Sequence, residues 1–173
     1  MKKNRVNLFL LIVVFSLPML IAYQLAQHPQ WMQKINPTNY GTWVKQSVNW
    51  TQQSEPKRPW QLVLWQNHSC DQACLAQLDL LARIRLAMGR KVYLLNIWLF
   101  LPERDKLTNG QLETLRRQDI HVAYASLKLE SQWKQAFTTM PIVLFAPEHH
   151  ALMKYPVNPE PKKMYHDFQL LIK

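Results

Sequence analysis

Cysteine is nearly absent from this chain: its 173 residues include only 2, Cys70 and Cys74. Two thiols are too few to staple a small secreted fold and too few for a four-thiolate zinc centre. Glycine is also scarce, at 3 residues against 11 prolines, which excludes a collagen-like or low-complexity chain. Acidic side chains number 11 against 21 Lys and Arg, for a formal charge of +10. The basic residues are scattered, as at Lys91, Arg104, Lys128 and Lys154, and no reader motif accompanies them. Nucleic acid is therefore not an expected partner. A hydrophobic content of 48% excludes a disordered chain, and the length suits one ordinary domain.

One long apolar run stands out. Val6 to Leu25 carries no charge over a length that matches the hydrocarbon core of a bilayer. Lys2, Lys3 and Arg5 precede it, which predicts a cytoplasmic N-terminus and an exported remainder. Setting those three charges aside leaves +7 on the rest, a surface suited to anionic lipid head groups. A cleaved signal peptide is the rival reading. The length of the run and the lack of an A-x-A pattern around Ala22 to Ala26 favour an uncleaved anchor. The expected organisation is a cytoplasmic tip and transmembrane anchor over 1–26, a tether over 27–59 and a folded domain over 60–173. Pro29, Pro37, Pro56 and Pro59 interrupt the tether, with local order expected around Tyr40 to Trp43.

Within the domain the hydrophobic pattern predicts an alternating order of strands and helices. Trp60 to Trp65 reads as a buried strand, and Gln72 to Met88 as a helix that Gly89 ends. Val92 to Leu99 reads as a second strand. Thr108 and Gln111 form a capping-box pattern before a helix with Leu112 and Leu115. Ile120 to Ala125 is a third strand, and Leu129, Trp133, Ala136 and Phe137 share one helix face. Pro141 to Phe145 and Leu152 to Tyr155 make a hairpin, and Pro161 opens a last helix with Met164, Phe168, Leu171 and Ile172 inward. The βαβ units predict an α/β fold with a mixed central sheet flanked by helices.

Cys70 and Cys74 fall where the first strand passes into the first helix. Four residues along a helix rise about 6 Å, within the Cα separation of a disulfide though near its long end. A thiol at a helix N-terminus is favoured as thiolate by the macrodipole. Asp71 opposes this, and a protonated His68 would reinforce it. The pair can therefore cycle between dithiol and disulfide, or present two sulfurs to Cu(I). An inert disulfide is the plain alternative, although so short a loop gains little from closure. Met140 offers a thioether suited to Cu(I), and His68 an imidazole; the bland readings are a core methionine and a surface histidine. His121 is expected to be a satisfied sheet residue. His149 and His150 are expected in a solvated turn.

The Cys-x-x-x-Cys at the first strand-to-helix turn is the organisation of a thioredoxin fold. Together with Met140-Pro141 before a later strand, and the hairpin and helix that follow, it resembles the Sco/SenC group of membrane-anchored, thioredoxin-like proteins. Pro37-Thr38-Asn39-Tyr40-Gly41-Thr42 after the anchor is similar to a Sco-like branch associated with cytochrome c oxidase in proteobacteria. The resemblance implies a bacterial inner-membrane, single-pass protein with its domain in the periplasm. It implies a role in assembling respiratory oxidase, with oxidase subunits or their assembly factors as partners and lipid around the N-terminal helix. Pro141 resembles the cis-proline that faces the cysteines in such folds. Catalytic residues are then expected at Cys70, Cys74 and Pro141, with Cys70 the exposed, attacking sulfur and Cys74 the resolving one. A copper site would draw on Cys70, Cys74, Met140 and His68. Two departures stand against a full copper site: Leu75 replaces the proline after the second cysteine, and Thr138-Thr139-Met140 lacks the ligand histidine. A docking module that performs no chemistry is the third expectation.

Overall fold

The computed structural model describes residues 7, 13–20, 23–24, 39–45, 48, 50 and 60–172. The chain divides into two units, Met1–Thr38 and Asn39–Lys173. Of the first, the described residues are helical, and among them no helix is long and apolar enough to cross a membrane. The rest of the expected anchor lies outside the described residues, as does most of the tether.

The second unit is built on a six-stranded sheet in the order β1-β6-β5-β2-β3-β4. Its strands are β1 (Thr42–Trp43), β2 (Trp60–Trp65), β3 (Leu95–Pro102), β4 (Ile120–Ala125), β5 (Ile142–Phe145) and β6 (Ala151–Tyr155). The helices are α1 (Gln72–Ala87), α2 (Asn109–Arg117), α3 (Leu127–Phe137) and α4 (Pro161–Leu171). β2, β3 and β4 run parallel, and β5, β6 and β1 are added antiparallel on the other side of β2.

β2 and β3 are buried on both faces, which is why they read as continuous apolar runs without alternation. Leu62, Leu64, Ile97 and Leu99 face one layer with Leu78 and Leu81 of α1, Leu115 of α2 and Phe168 of α4. Val63, Trp65 and Phe100 face the other, with Trp133 and Phe137 of α3. The capping box at Thr108 and Gln111 forms as expected. Gly89, at φ +61°, ends α1 in the left-handed region that glycine tolerates.

The second strand begins three residues later than the pattern predicts. Gly89–Leu94 is a 3-10 helix, and the pairing of β2 with β3 starts only at Trp60 and Leu95. Residues 92–94 have strand-forming side chains but, among the described residues, no neighbouring strand to pair with. At the far end β3 continues to Pro102, because Trp65 and Ala125 supply partners for Phe100 and Pro102.

The stretch expected to be tether contributes to this unit. β1 pairs with β6, Thr42 opposite Lys154 and Trp43 opposite Met153. Trp50 is 2% exposed and has ring centroids of Phe100, Trp133, Trp98 and Phe145 within 5.0–5.8 Å. Such aromatic pairs add about 1 kcal/mol each beyond the area they bury.

A buried carboxylate fixes the start of the unit. Asp167 of α4 accepts hydrogen bonds from the backbone N–H of Tyr40 at 3.0 Å and of Gly41 at 2.8 Å. The Tyr40 hydroxyl in turn accepts from the Glu160 N–H. Gly41 lies against the Tyr155 ring, where a Cβ would come within 2.6 Å of Cε1, so no larger residue fits without displacement. Burial, and then the Asp167 carboxylate, hold the Tyr155 phenol well above its ordinary pKa. The Tyr40-Gly41 step of the sequence motif is thus a structural clasp.

Replacing Asp167 with Ala removes two charge-assisted hydrogen bonds and is expected to cost about 3 kcal/mol. Thermal unfolding would show it as a fall in Tm on the order of 10 °C. An unchanged Tm would refute the clasp.

Candidate functional site

The site forms at the C-terminal end of β2. There Trp65 N–H donates to the Pro141 carbonyl at 2.9 Å, and Gln66 N–H donates to the Phe100 carbonyl at 3.0 Å. The chain then turns through exposed Asn67, His68 and Ser69 into Cys70 and α1. Asp71 is the helix N-cap, and its Oδ1 accepts from Cys74 N–H at 2.9 Å. This cap leaves Cys70 outside the helix. Its Cα is accordingly 5.3 Å from that of Cys74, closer than two residues on regular helical turns would be, and the two sulfurs form a disulfide.

Both cysteines are buried, with little difference between them. Cys70 is 4% exposed and Cys74 2%, and both belong to the core layer beneath α1. Helix α2 covers the Cys70 side, where Gln111 Nε2 donates to the Cys70 carbonyl at 2.9 Å. Cys74, by contrast, lines a cavity of about 360 Å³ together with Trp65, His68, Asp71, Phe137 and Pro141. Cys70 does not line it. Cys70, expected to be the more exposed of the two, is so by a narrow margin, and exposure alone does not separate an attacking from a resolving sulfur. The extended turn before α1 places Cys70 beside α2, and Cys74, in the first turn of α1, is among the residues that line the cavity.

The other expected residues separate. Pro141 lies on the cavity wall, but its peptide bond is trans, as are all those among the described residues. The Pro141 carbonyl extends the β2–β5 ladder by accepting from Trp65. His68 also lines the cavity, with its Nδ1 2.8 Å from the Ser69 carbonyl, an arrangement that leaves Nε2 for a ligand. Met140 is half-buried and is not part of the cavity wall. Among the described residues no group of three His, Cys, Asp or Glu side chains converges to hold a metal. His121 is stacked on Trp98 with centroids 4.8 Å apart, and its buried Nε2 has no hydrogen-bond partner among the described residues, unlike the satisfied sheet histidine expected. His150 is exposed, as expected, whereas His149 Nδ1 is buried without a partner.

Some contributors were not legible beforehand. Gln77 of α1 donates through Nε2 to the Val157 carbonyl, closing the far side of the cavity. Gln111 was read as half of a capping box, and its second bond to Cys70 has no sequence signal. The two roles of Asp71 have opposite electrostatic effects. As N-cap it orients the amides that favour a thiolate, and as an anion it opposes one. Asn caps a helix as well as Asp without the charge. Asp71→Asn is expected to keep the fold and to lower the thiol pKa of the reduced pair. Iodoacetamide alkylation of reduced protein at neutral pH should then be several-fold faster; an equal or slower rate would show that the Asp71 charge does not govern the sulfurs.

A family model described as a transmembrane-like, thioredoxin-like, C-terminal domain matches residues 60–173. No curated protein matches the chain. Among solved structures, a SCO1/SenC family lipoprotein from Bacillus anthracis superposes with a TM-score of 0.52 at 10% identity, over 75% of this chain and 99% of that one. Yeast Sco1 with copper bound gives 0.50 at 10% identity, over 64% of this chain and 74% of that one. At these identities the likeness is one of fold, and it is the fold the sequence predicts. The extent of the family match settles membership: the chain belongs to the transmembrane-like, thioredoxin-like family, with the Sco1/SenC proteins as structural neighbours.

Proposed function

We propose that the chain is a thiol–disulfide exchange protein, held at the bacterial inner membrane by its N-terminal apolar run and acting in the periplasm on the assembly of respiratory cytochrome c oxidase. One observation carries the exchange reading. The Cys70–Cys74 disulfide bridges the N-terminus of α1, and Cys74 is one of the residues that line the adjoining cavity. The anchor and the oxidase role rest on the apolar run after Lys2, Lys3 and Arg5, and on the Sco-like pattern of the chain.

In this reading Cys74, which lines the cavity, is the cysteine attacked. A partner thiolate entering the cavity meets Cys74 Sγ, forms a sulfur–sulfur bond to it and displaces Cys70 as thiolate. A second thiol of the partner then attacks the partner's own sulfur. This releases Cys74 as thiolate and leaves an oxidised partner with a reduced pair. Run backwards, the same steps reduce a partner disulfide, with Cys74 as the attacking sulfur and Cys70 the resolving one. Helix amides at the start of α1 stabilise the thiolates, and Asp71 limits how far.

Trapping experiments test the assignment. Cys70→Ser leaves Cys74 able to hold a mixed disulfide, so it should accumulate one with the oxidase partner, whereas Cys74→Ser should not. Oxidase activity should fall in both variants. Full activity in both would sink the exchange reading and leave a docking module in its place.

Copper as cargo is a second reading, favoured by the fold shared with yeast Sco1, which crystallised with copper bound. The reduced pair offers two thiolates, which suit Cu(I), and His68 is the imidazole on the same cavity. Met140 is poorly placed to add a thioether. Titration of the reduced chain with Cu(I) against a strong chelator is expected to show binding lost on Cys70→Ser or Cys74→Ser, weakened by His68→Ala and unchanged by Met140→Leu. Affinity no better than that of an unrelated dithiol would eliminate this reading.

A further inference from the structure

Beside the disulfide cavity lies a second cleft, of about 370 Å³, between β1, β6 and the end of α3. Its wall includes Thr42, Trp43, Lys45, Gln135, Phe137 and Lys154, with two lysines and no acidic residue. Phe137 lines both spaces, so they lie on either side of one buried side chain. The pairing of β1 with β6 places Lys154 opposite Thr42, and Lys45 follows two residues after Trp43. Trp43 is 48% exposed, which adds an apolar, flat surface to the cationic one.

The charges of the two spaces are opposite. The disulfide cavity carries the Asp71 carboxylate on its wall, and the neighbouring cleft carries Lys45 and Lys154. A polypeptide with carboxylates flanking its cysteine would be repelled on the Asp71 side and attracted on the Phe137 side. That difference sets the direction in which it lies across the site. Neutral stretches would gain nothing from it. The excess of basic over acidic residues in the chain reinforces the same preference at longer range.

We infer that the cleft at Lys45 and Lys154 seats an acidic segment of the partner polypeptide whose thiol reaches Cys74. The inference rests on the exchange reading above and names the chemistry of the partner it acts on. It also gives β1 a role beyond closing the sheet edge. The strand supplies the Lys45 side of a selectivity cleft, so the residues that lead into the domain also help choose its partner.

The test compares three reductants of the full-length oxidised chain in neutral detergent, at low and high ionic strength. They are dithiothreitol, a dithiol peptide flanked on one side by glutamates, and the same peptide with glutamines. Trp65 shares the cavity with Cys74, so its fluorescence reports loss of the disulfide. At low salt the acidic peptide should react about tenfold faster than its glutamine counterpart, and high salt should erase the advantage. In Lys45→Glu/Lys154→Glu the ratio of the two peptide rates should fall to one or below, and in Lys45→Gln/Lys154→Gln it should be intermediate. Each protein's rate with dithiothreitol normalises for any general change at the disulfide. Equal peptide rates in the wild-type protein, or a preference that survives charge reversal, would overturn the inference while leaving exchange intact. A disulfide that even dithiothreitol does not reduce would overturn both.

Discussion

The central strand β2 is hydrogen-bonded along both edges, and everything at the site depends on this. Parallel β3 holds one side from Trp60 to Trp65, and antiparallel β5 holds the other from Gln61 to Leu64. The bonds from Trp65 to Pro141 and from Gln66 to Phe100 carry that restraint to the last residues before the cysteine turn. A strand fixed on both sides cannot slip register without turning its inward side chains to the opposite face. The disulfide therefore emerges at a defined height. Pro141 reaches the same height because its strand is the antiparallel neighbour of β2.

The sheet separates two cores of different character. One is aliphatic and contains the disulfide, beneath α1 and α4. The other is aromatic, gathered around Trp133 and Trp50 on the α3 side. Trp65 and Phe137 belong to the aromatic layer and also line the disulfide cavity, so they join packing to chemistry. The clasp of Asp167 on Tyr40 and Gly41 holds the start of the unit to α4, and from there β1 pairs with β6 and leads on to Lys45. Through it a buried carboxylate far from the cysteines determines where one wall of the cationic cleft stands.

Burial gives the cysteine pair its chemical character. Both cysteines are buried under the N-terminus of α1, and of the two only Cys74 lines the cavity. Asp71 caps the helix, while its charge opposes a thiolate beside it. For a copper ligand set the same arrangement is restrictive. The two thiolates are available together, but Met140 is kept off the cavity wall.

The sequence by itself determined the order of the elements, the burial of β2, the capping box at Thr108 and the disulfide-compatible spacing of Cys70 and Cys74. These are local or periodic properties, set by neighbours within one or two turns. The tertiary structure decided what depends on distant partners. Residues 92–94 are not strand, since among the described residues the pairing with β2 begins at Trp60 and Leu95, and Trp50 enters the aromatic layer. Asp167 was only a polar residue on a helix until Tyr40 and Gly41 supplied its donors. Above all, the sequence marked the cysteine pair but not what surrounds it. The bond from Gln111 of α2 to the Cys70 carbonyl, and the cavity beside Cys74, depend on residues distant in the chain.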